Sequence, residues 1–432
     1  MSPMGRAVPR PGGRSSPSPG LARRMVAAAT AIVVLVVGGL TGCSSGPVVN
    51  RQARPELPLE AWWGGPSYYA QFPLAAASGW TDPSFFPIAV FRGKPEDAAS
   101  LWSMGVNTYM GVEHDGSQMS TITGRGMSVL AQPEWTTQEI GDDPLVVGWS
   151  ISDECDMGYS DCGGDQYTQL AKQKQYAAAA RSHADGRFLQ ANFGNGVLGT
   201  FWSKDTMRDH VSLVDVTSVD KYAYTSPHVR SLMSASPDWP SGKDLASSFA
   251  YGWLQDQMET FTSPAGSKPN WVLVETAMPY LTEAGATTIS GDQIEGAVWN
   301  AIINGASGIA YFQHNNNGAC GNYSLIACPQ ARAAVAKTNA EIHSLAPVLN
   351  TQSSVWTFGA GLQTALKVRD GYAYVFAMTD GGSGSRSLAL PPSVRGKTVE
   401  VVGENRTLPV ADGKFTDTFA NEDTHHVYRL IN

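Results

Sequence analysis

Between residues 86 and 312 the chain repeats one pattern: a short run of mostly apolar residues, then a stretch with helical spacing. The runs occupy 86–91, 107–112, 128–132, 145–151, 188–192, 215–222, 271–275 and 308–312. They lack the apolar–polar alternation of half-exposed strands, so they read as strands covered on both faces, and intervals of roughly 15 to 50 residues leave room for crossover helices. Two intervals carry helix punctuation. Pro95 stands at a first-turn position with Gly105 just past the end, and Ser290 and Gln293 have capping-box spacing ahead of an apolar stripe of Ile294, Ala297, Val298, Ala301 and Ile302. Eight buried strands alternating with helices over 84–347 predict an α/β fold, a (β/α)8 TIM barrel, which usually takes about 250 residues.

After residue 347 the pattern changes. Runs at 355–358, 362–368, 372–379, 387–390, 398–402 and 426–430 are β-rich and separated by Gly, Asp and Asn turns. They predict a small C-terminal antiparallel β-sandwich over 348–432. Covering and stabilising the barrel is its expected role, with carbohydrate binding the alternative.

The N-terminus reads as an address. Residues 25–40 are uncharged, follow a basic stretch ending in Arg23-Arg24, and are shorter than the roughly 20 residues of a membrane span. They end in Leu40-Thr41-Gly42-Cys43, which resembles the lipobox of bacterial lipoproteins. That resemblance implies that residues 1–43 are a signal peptide ending at a lipidated Cys43, and that the chain is exported and anchored to the outer face of the cell membrane. Arg23-Arg24 leaves the export route open. Residues 44–83, rich in Pro, Gly and aromatics, read as a tether and irregular segment. In an exported chain Cys155, Cys162, Cys320 and Cys328 can oxidise. Proximity favours pairing 155 with 162 and 320 with 328, although four cysteines allow three connectivities. Neither pair has the spacing of a structural zinc site.

Composition narrows the function. Beyond residue 43 there are 25 basic and 38 acidic residues, a net charge of −13. Such a chain offers no electrostatic footprint for nucleic acid. Its sequence has no Gly-rich phosphate loop at a strand-to-helix turn, no His-Glu-x-x-His and no Gly-x-Ser-x-Gly elbow, so nucleotide use, zinc proteolysis and serine hydrolysis lack support. No cofactor or metal is called for.

Barrel chemistry sits at the C-terminal ends of strands. Glu154 follows the fourth run in Ser152-Asp153-Glu154, and Glu275 closes the seventh in Trp271-Val272-Leu273-Val274-Glu275. Here the sequence resembles the clan A glycoside hydrolases. The stretch 149–156 is similar to their Gly-Trp-x-x-x-Asp-Glu segment, and 305–312 to their eighth-strand segment. The resemblance implies a retaining glycosidase with Glu154 as acid/base and Glu275 as nucleophile, acting on a carbohydrate. One departure is Asp153, because many clan members have Asn at that position, where it contacts the substrate 2-hydroxyl. Two carboxyls suit the chemistry independently: retention needs one to protonate the leaving oxygen and one to attack the anomeric carbon, about 5 to 5.5 Å apart.

Glu113 and Asp115 after the second run are competing acids. Glu134 and Trp135 after the third, Asn192 ending the fifth, Asp220 and Tyr222 at the sixth, Tyr280 after the seventh and His314 after the eighth are candidate substrate contacts, as are Gln132 and Gln313. Flat rings stack on the apolar faces of sugars, and Trp62, Trp63 and Trp202 join Trp135, Tyr222 and Tyr280 as candidates. Trp102, Trp149 and Trp299 read as core. The rival to an enzyme is a noncatalytic glycan-binding lipoprotein on the same barrel, and a third reading is a structural surface protein, whose mouth should lack clustered acids and aromatics.

Overall fold

The computed structural model describes residues 57–280 and 282–431. The expected export signal, the expected lipidation site at Cys43 and the first part of the expected tether lie outside the described residues. Eight parallel strands close a barrel in sequence order: β1 (Ile88–Gly93), β2 (Thr108–Val112), β3 (Ser128–Ala131), β4 (Val146–Asp153), β5 (Phe188–Phe193), β6 (Val216–Val219), β7 (Asn270–Glu275) and β8 (Gly308–Phe312). Closure is made by β1 against β8, with Ala89 opposite Ala310.

Side chains alternate in and out, as the period of a strand demands. On β7, Trp271 and Leu273 join Met110, Leu130, Phe188 and Ala310 inside the barrel. Val272 and Val274 face the surrounding helices. The apolar runs were therefore continuous because both faces are covered. Among those helices, Gly291–Ile303 has the expected capping box, Ser290 and Gln293 bonding reciprocally. The last helix, Pro329–Leu349, continues through Pro347. That proline sits in the final turn and lacks the N–H that would bond the carbonyl four residues earlier, so it costs the helix one hydrogen bond near its end.

The segment before β1 differs from the irregular tether expected. A 3-10 helix, Gly65–Gln71, and a short α-helix, Pro73–Ala77, bring Tyr69 and Trp80 under the barrel. Tyr69 meets Trp80 at 4.8 Å, and Trp80 meets Phe188 at 5.4 Å and Trp271 at 6.0 Å. This aromatic layer closes the end of the barrel opposite the strand C-termini. Trp62 and Trp63 line a small cavity at the same closed end, beside Ala306 and Ser307, and are therefore remote from the mouth where sugar stacking was expected. Leu59 forms a bridge with Ser354, and Glu60 N–H donates to the Ser353 carbonyl.

The C-terminal region is antiparallel. β9 (Ser353–Ser354), β10 (Leu362–Arg369), β11 (Tyr372–Thr379), β12 (Gly384–Ala389), β13 (Thr398–Val401), β14 (Arg406–Pro409), β15 (Lys414–Phe419) and β16 (His425–Ile431) form a six-stranded sheet ordered 14-13-16-11-10-9 and a pair 12-15. The run 355–358 is not a strand; the pairing falls just before it. In β15, Phe415, Asp417 and Phe419 point inward in strict alternation, a half-buried pattern that a search for continuous apolar runs passes over. The sheet packs on the barrel helices, Trp299 stacking on His425 at 4.6 Å and on Phe376 at 6.1 Å. Trp299 and Trp149 are core, as expected, but Trp102 is 57% exposed. Among the described residues, no helix is long and apolar enough to cross a membrane.

Candidate active site

At the open end, β4 stops at Asp153 and the chain turns sharply. Glu154 adopts a left-handed conformation, φ 44° and ψ 47°, which costs a residue other than glycine about 1–2 kcal/mol and recurs at functional sites. Several contacts impose it. Glu154 N–H donates to the Asn192 carbonyl at 3.0 Å, Met157 N–H donates to the Glu154 carbonyl at 2.8 Å, and Ser160 Oγ accepts from Asp153 N–H at 3.0 Å. The Cys155–Cys162 disulfide closes the same loop, and Cys320–Cys328 braces the loop after β8. Asp156 is buried and accepts from Gly194 N–H at 2.9 Å and Gly196 N–H at 2.5 Å, tying the turn after β4 to the loop after β5. Burial pushes its carboxyl up to about 6 against those hydrogen bonds.

The turn places Glu154 in a mouth cavity of about 480 Å³. Asp153, Asp220, Lys221, Tyr222 and Tyr280 line the same space. An adjoining lobe of about 220 Å³, lined by Arg92, Gln132 and Glu134, shares Phe91 and Asp153 with it. Lys221, only 4% exposed in its side chain, holds Nζ 3.5 Å from Glu154 Oε1. Burial and then the Asp220 charge raise the Glu154 carboxyl well above the ordinary carboxylate range, with Lys221 opposing. Burial and Asp220 likewise push Asp153 up to about 6.

Asn192 stands behind the cavity and is almost fully buried. Its Nδ2 donates to Asp153 Oδ1 at 3.1 Å and to Asp220 Oδ1 at 3.0 Å, while its Oδ1 accepts from Ser218 Oγ at 2.7 Å. It therefore positions two carboxylates rather than touching the cavity. Tyr222 packs its ring against Phe312 at 5.0 Å, and its buried hydroxyl lies within hydrogen-bonding reach of the Asp220 carboxylate.

Glu275 is placed differently. It is 0% exposed and does not line the cavity. Its carboxylate accepts from Tyr251 OH at 2.6 Å and Thr225 Oγ1 at 3.2 Å. Burial pushes it up to about 7 despite these donors. Tyr280, on the cavity wall, lies within electrostatic reach of Asp220, Glu275 and Glu154, so Glu275 sits just behind the mouth.

The remaining candidates divide. Glu134 lines the smaller lobe. Trp135 is buried, donates to the Val112 carbonyl at 3.3 Å, and packs on His114 away from both lobes. Trp202 is also buried, stacked on His210 at 3.9 Å and donating to Gln169. His314 lies between Phe312 and Tyr323 and lines neither lobe. Glu113 accepts from Tyr323 OH. Lys221, Asp156, Tyr251 and Thr225 were not foreseen as site residues; each acts through a contact distant in sequence.

No family model matches the chain, and no curated protein matches it in sequence. In structure it is similar to a family 51 α-L-arabinofuranosidase from Bifidobacterium longum (10% identity, 81% of this chain and 96% of that one, TM-score 0.49). It is also similar to a glycoside hydrolase family 30 subfamily 8 xylanase from Clostridium acetobutylicum (11% identity, 80% and 96%, TM-score 0.43), and to an Anoxybacillus α-amylase (8% identity, 78% and 89%, TM-score 0.43). At such identities and scores the likeness carries no weight for activity, which has to rest on the site.

Proposed function

We propose that the chain is a retaining glycoside hydrolase that cleaves an oligo- or polysaccharide at the outer cell surface, with Glu154 as acid/base and Glu275 as nucleophile. The observation that carries the reading is Glu154 itself: a carboxyl at the end of β4, in a cavity of sugar dimensions, kept protonated by burial and by the neighbouring Asp220. Such a group donates its proton to the departing glycosidic oxygen and afterwards takes one from the attacking water. The Lys221 ammonium steadies the carboxylate between those steps. Hydrogen bonds from Tyr251 and Thr225 favour the ionised form of Glu275. Its carboxylate attacks the anomeric carbon as the bond to the leaving oxygen breaks, and water then cleaves the resulting ester, releasing the sugar with its configuration retained.

A second reading assigns the nucleophile to Asp220, because Asp220 lines the cavity with Glu154 and Glu275 does not. Azide distinguishes the two. Glu154→Gln should still react with an activated aryl glycoside, and azide should restore its turnover with retained configuration. A variant lacking the nucleophile should give an azide of inverted configuration, so product from Glu275→Gln or from Asp220→Asn identifies the residue. Absence of cleavage across a panel of aryl glycosides and envelope polysaccharides would leave a noncatalytic glycan-binding protein instead. Cys43 carries the lipid anchor in this reading, and mass spectrometry of the mature N-terminus tests it; an unmodified Cys43 removes the surface placement.

A further inference from the structure

The two hydroxyls that donate to Glu275 come from separate elements, and one loop of the β-sandwich grips both elements. Thr225 follows β6, and its neighbour Tyr224 is buried. Tyr251 stands in the first turn of the helix Phe249–Glu259, with its ring stacked on that of Tyr224 at 5.5 Å. The loop between β15 and β16 brings Glu422 and Asp423 against this pair. Tyr224 OH lies 2.7 Å from Glu422 Oε1 and 2.6 Å from Asp423 Oδ1. Glu422 Oε2 accepts from Ser248 N–H at 2.8 Å and from Ser248 Oγ at 2.7 Å, immediately ahead of the helix that carries Tyr251. A carboxylate at that end also suits the helix dipole.

The barrel is shaped to seat this loop. A Cβ built on Gly296, in the helix Gly291–Ile303, would lie 2.7 Å from Asp423 Oδ1 and 2.8 Å from Asp423 Cα, so glycine is what lets the loop approach. Just past the loop, His425 sits between Glu341 at 3.0 Å and Glu295 at 3.5 Å, which fastens β16 to two barrel helices. The short contacts also fix a proton. Tyr224 has one hydroxyl proton and can donate to one carboxylate. Its second short contact therefore needs a proton from a carboxyl group, and Asp423 supplies it, because Glu422 already accepts two bonds from Ser248. Burial, the hydrogen bond with Glu422, and the Glu422 and Asp292 charges raise the Asp423 carboxyl above its ordinary range.

We propose that Glu422 and Asp423 are positioning residues of the active site: through them the C-terminal sandwich holds Tyr224 and Ser248, and hence Thr225 and Tyr251, in place to donate to Glu275. This rests on the glycosidase reading with Glu275 as nucleophile, and it gives the sandwich a part in the reaction beyond covering the barrel. With the loop released, both donors lose their fixed seat and the ionised form of Glu275 loses support.

The test uses the full chain with Glu422→Ala, Asp423→Ala and, from the barrel side, Tyr224→Phe, which keeps the ring and removes only the hydroxyl. Two readouts follow the Glu275 carboxyl. One is the acidic limb of the kcat/KM profile; the other is carbon-13 NMR titration of labelled glutamate carboxyls, with the Glu275 resonance identified by its loss in Glu275→Gln. Burial already raises Glu275 to about 7, so weaker donors should move both readouts up by at least about half a pH unit, a loss of about threefold in kcat/KM below the limb. Asp423→Asn, whose amide donates to the Tyr224 oxygen as the acid does, should show neither shift. Tyr428→Phe, which removes a hydrogen bond to Asp417 inside the sandwich, is the control for lost stability and should move neither. A folded Tyr224→Phe protein with an unmoved NMR titration overturns the proposal, as does a shift in Tyr428→Phe or in Asp423→Asn as large as that of the alanine variants. If the alanine variants fail to fold, Tyr224→Phe decides. A moved titration with an unmoved kinetic limb, or with no cleavage of any glycan, removes the role of Glu275 as nucleophile and leaves the hold of the loop on Glu275 standing. An unmoved titration in an active enzyme removes this inference alone.

Discussion

Gly194 offers a way to move the acid without touching its chemistry. It follows β5, and a Cβ built on it would lie 2.2 Å from Glu154 Oε1 and 2.5 Å from Met157 Sδ. To reach an ordinary carbon–oxygen contact of about 3.3 Å, the carboxylate must retreat by roughly 1 Å. One obstructing atom ends the Glu154 side chain and the other lies one bond from the end of the flexible Met157 side chain, so Gly194→Ala should cost stability at the low end of the ~1–3 kcal/mol typical of overpacking. The retreat alters the contact with Lys221, now 3.5 Å, and shifts the proton away from the glycosidic oxygen. A misplacement of about 1 Å lowers turnover about 100-fold. The loss should be largest for glycosides with poor leaving groups, which depend on proton donation, and small for activated aryl glycosides. Steady-state kinetics on both substrate kinds, with a thermal melt as the folding control, measure this. In a Glu154→Gln background the alanine should add little further loss, since the displaced group is already inactive. A folded Gly194→Ala protein with undiminished kcat on a poor leaving group would refute the placement of Glu154 as the acid.

Three further outcomes follow from the same geometry. Asp156→Ala strands the Gly194 and Gly196 N–H groups that the carboxylate now satisfies, so chemical denaturation should show a loss of about 3–5 kcal/mol. Tyr251→Phe removes a hydrogen bond to the charged form of Glu275; if Glu275 is the nucleophile, the acidic limb of the kcat/KM profile should move to higher pH, and an unmoved limb counts against that role. Asp153 and Asp156, pushed up to about 6, and Glu259 and Glu275, pushed up to about 7, bind protons more tightly folded than unfolded. Their protonation therefore favours the folded state. The stability they contribute is full below the unfolded carboxyl pKa values, about 4 to 4.5, and is lost as pH rises through about 6 to 7. A melting temperature several degrees lower at pH 8 than at pH 5 is expected, and a rise over that interval contradicts it.

The barrel was legible because its physics is local: a strand covered on both faces must be apolar throughout, and the runs ending at Ile151, Glu275 and Phe312 said so. Where only alternation marked a strand, as in Phe415, Asp417 and Phe419, the signal was weaker and was missed. The aromatic segment around Tyr69 and Trp80 has no period because it caps one end of a cylinder, a role that no repeat announces. Trp102 lies outside the core because residue type gives a tendency and the orientation of its helix decides. At the site, Glu154 and Asp220 were visible as acids at strand ends. The setting of Glu154 was not, since it depends on Lys221, Asp156 and Gly194, which are brought close only by folding. Glu275 shows the same limit from the other side: position on β7 located the carboxylate, but its cover by Tyr251, from a separate helix, left no local trace.

The chain reaches Leu59 and Glu60 at the sealed end of the barrel, pinned beside Ser353 and Ser354. β9 is the last strand of the six-stranded sheet, and the segment from residue 58 to 60 lies along its outer edge, with Val355 N–H donating to the Pro58 carbonyl. The floor of the barrel and the border of the sheet therefore share one seam, and backbone groups that an open border would offer to another chain are already taken.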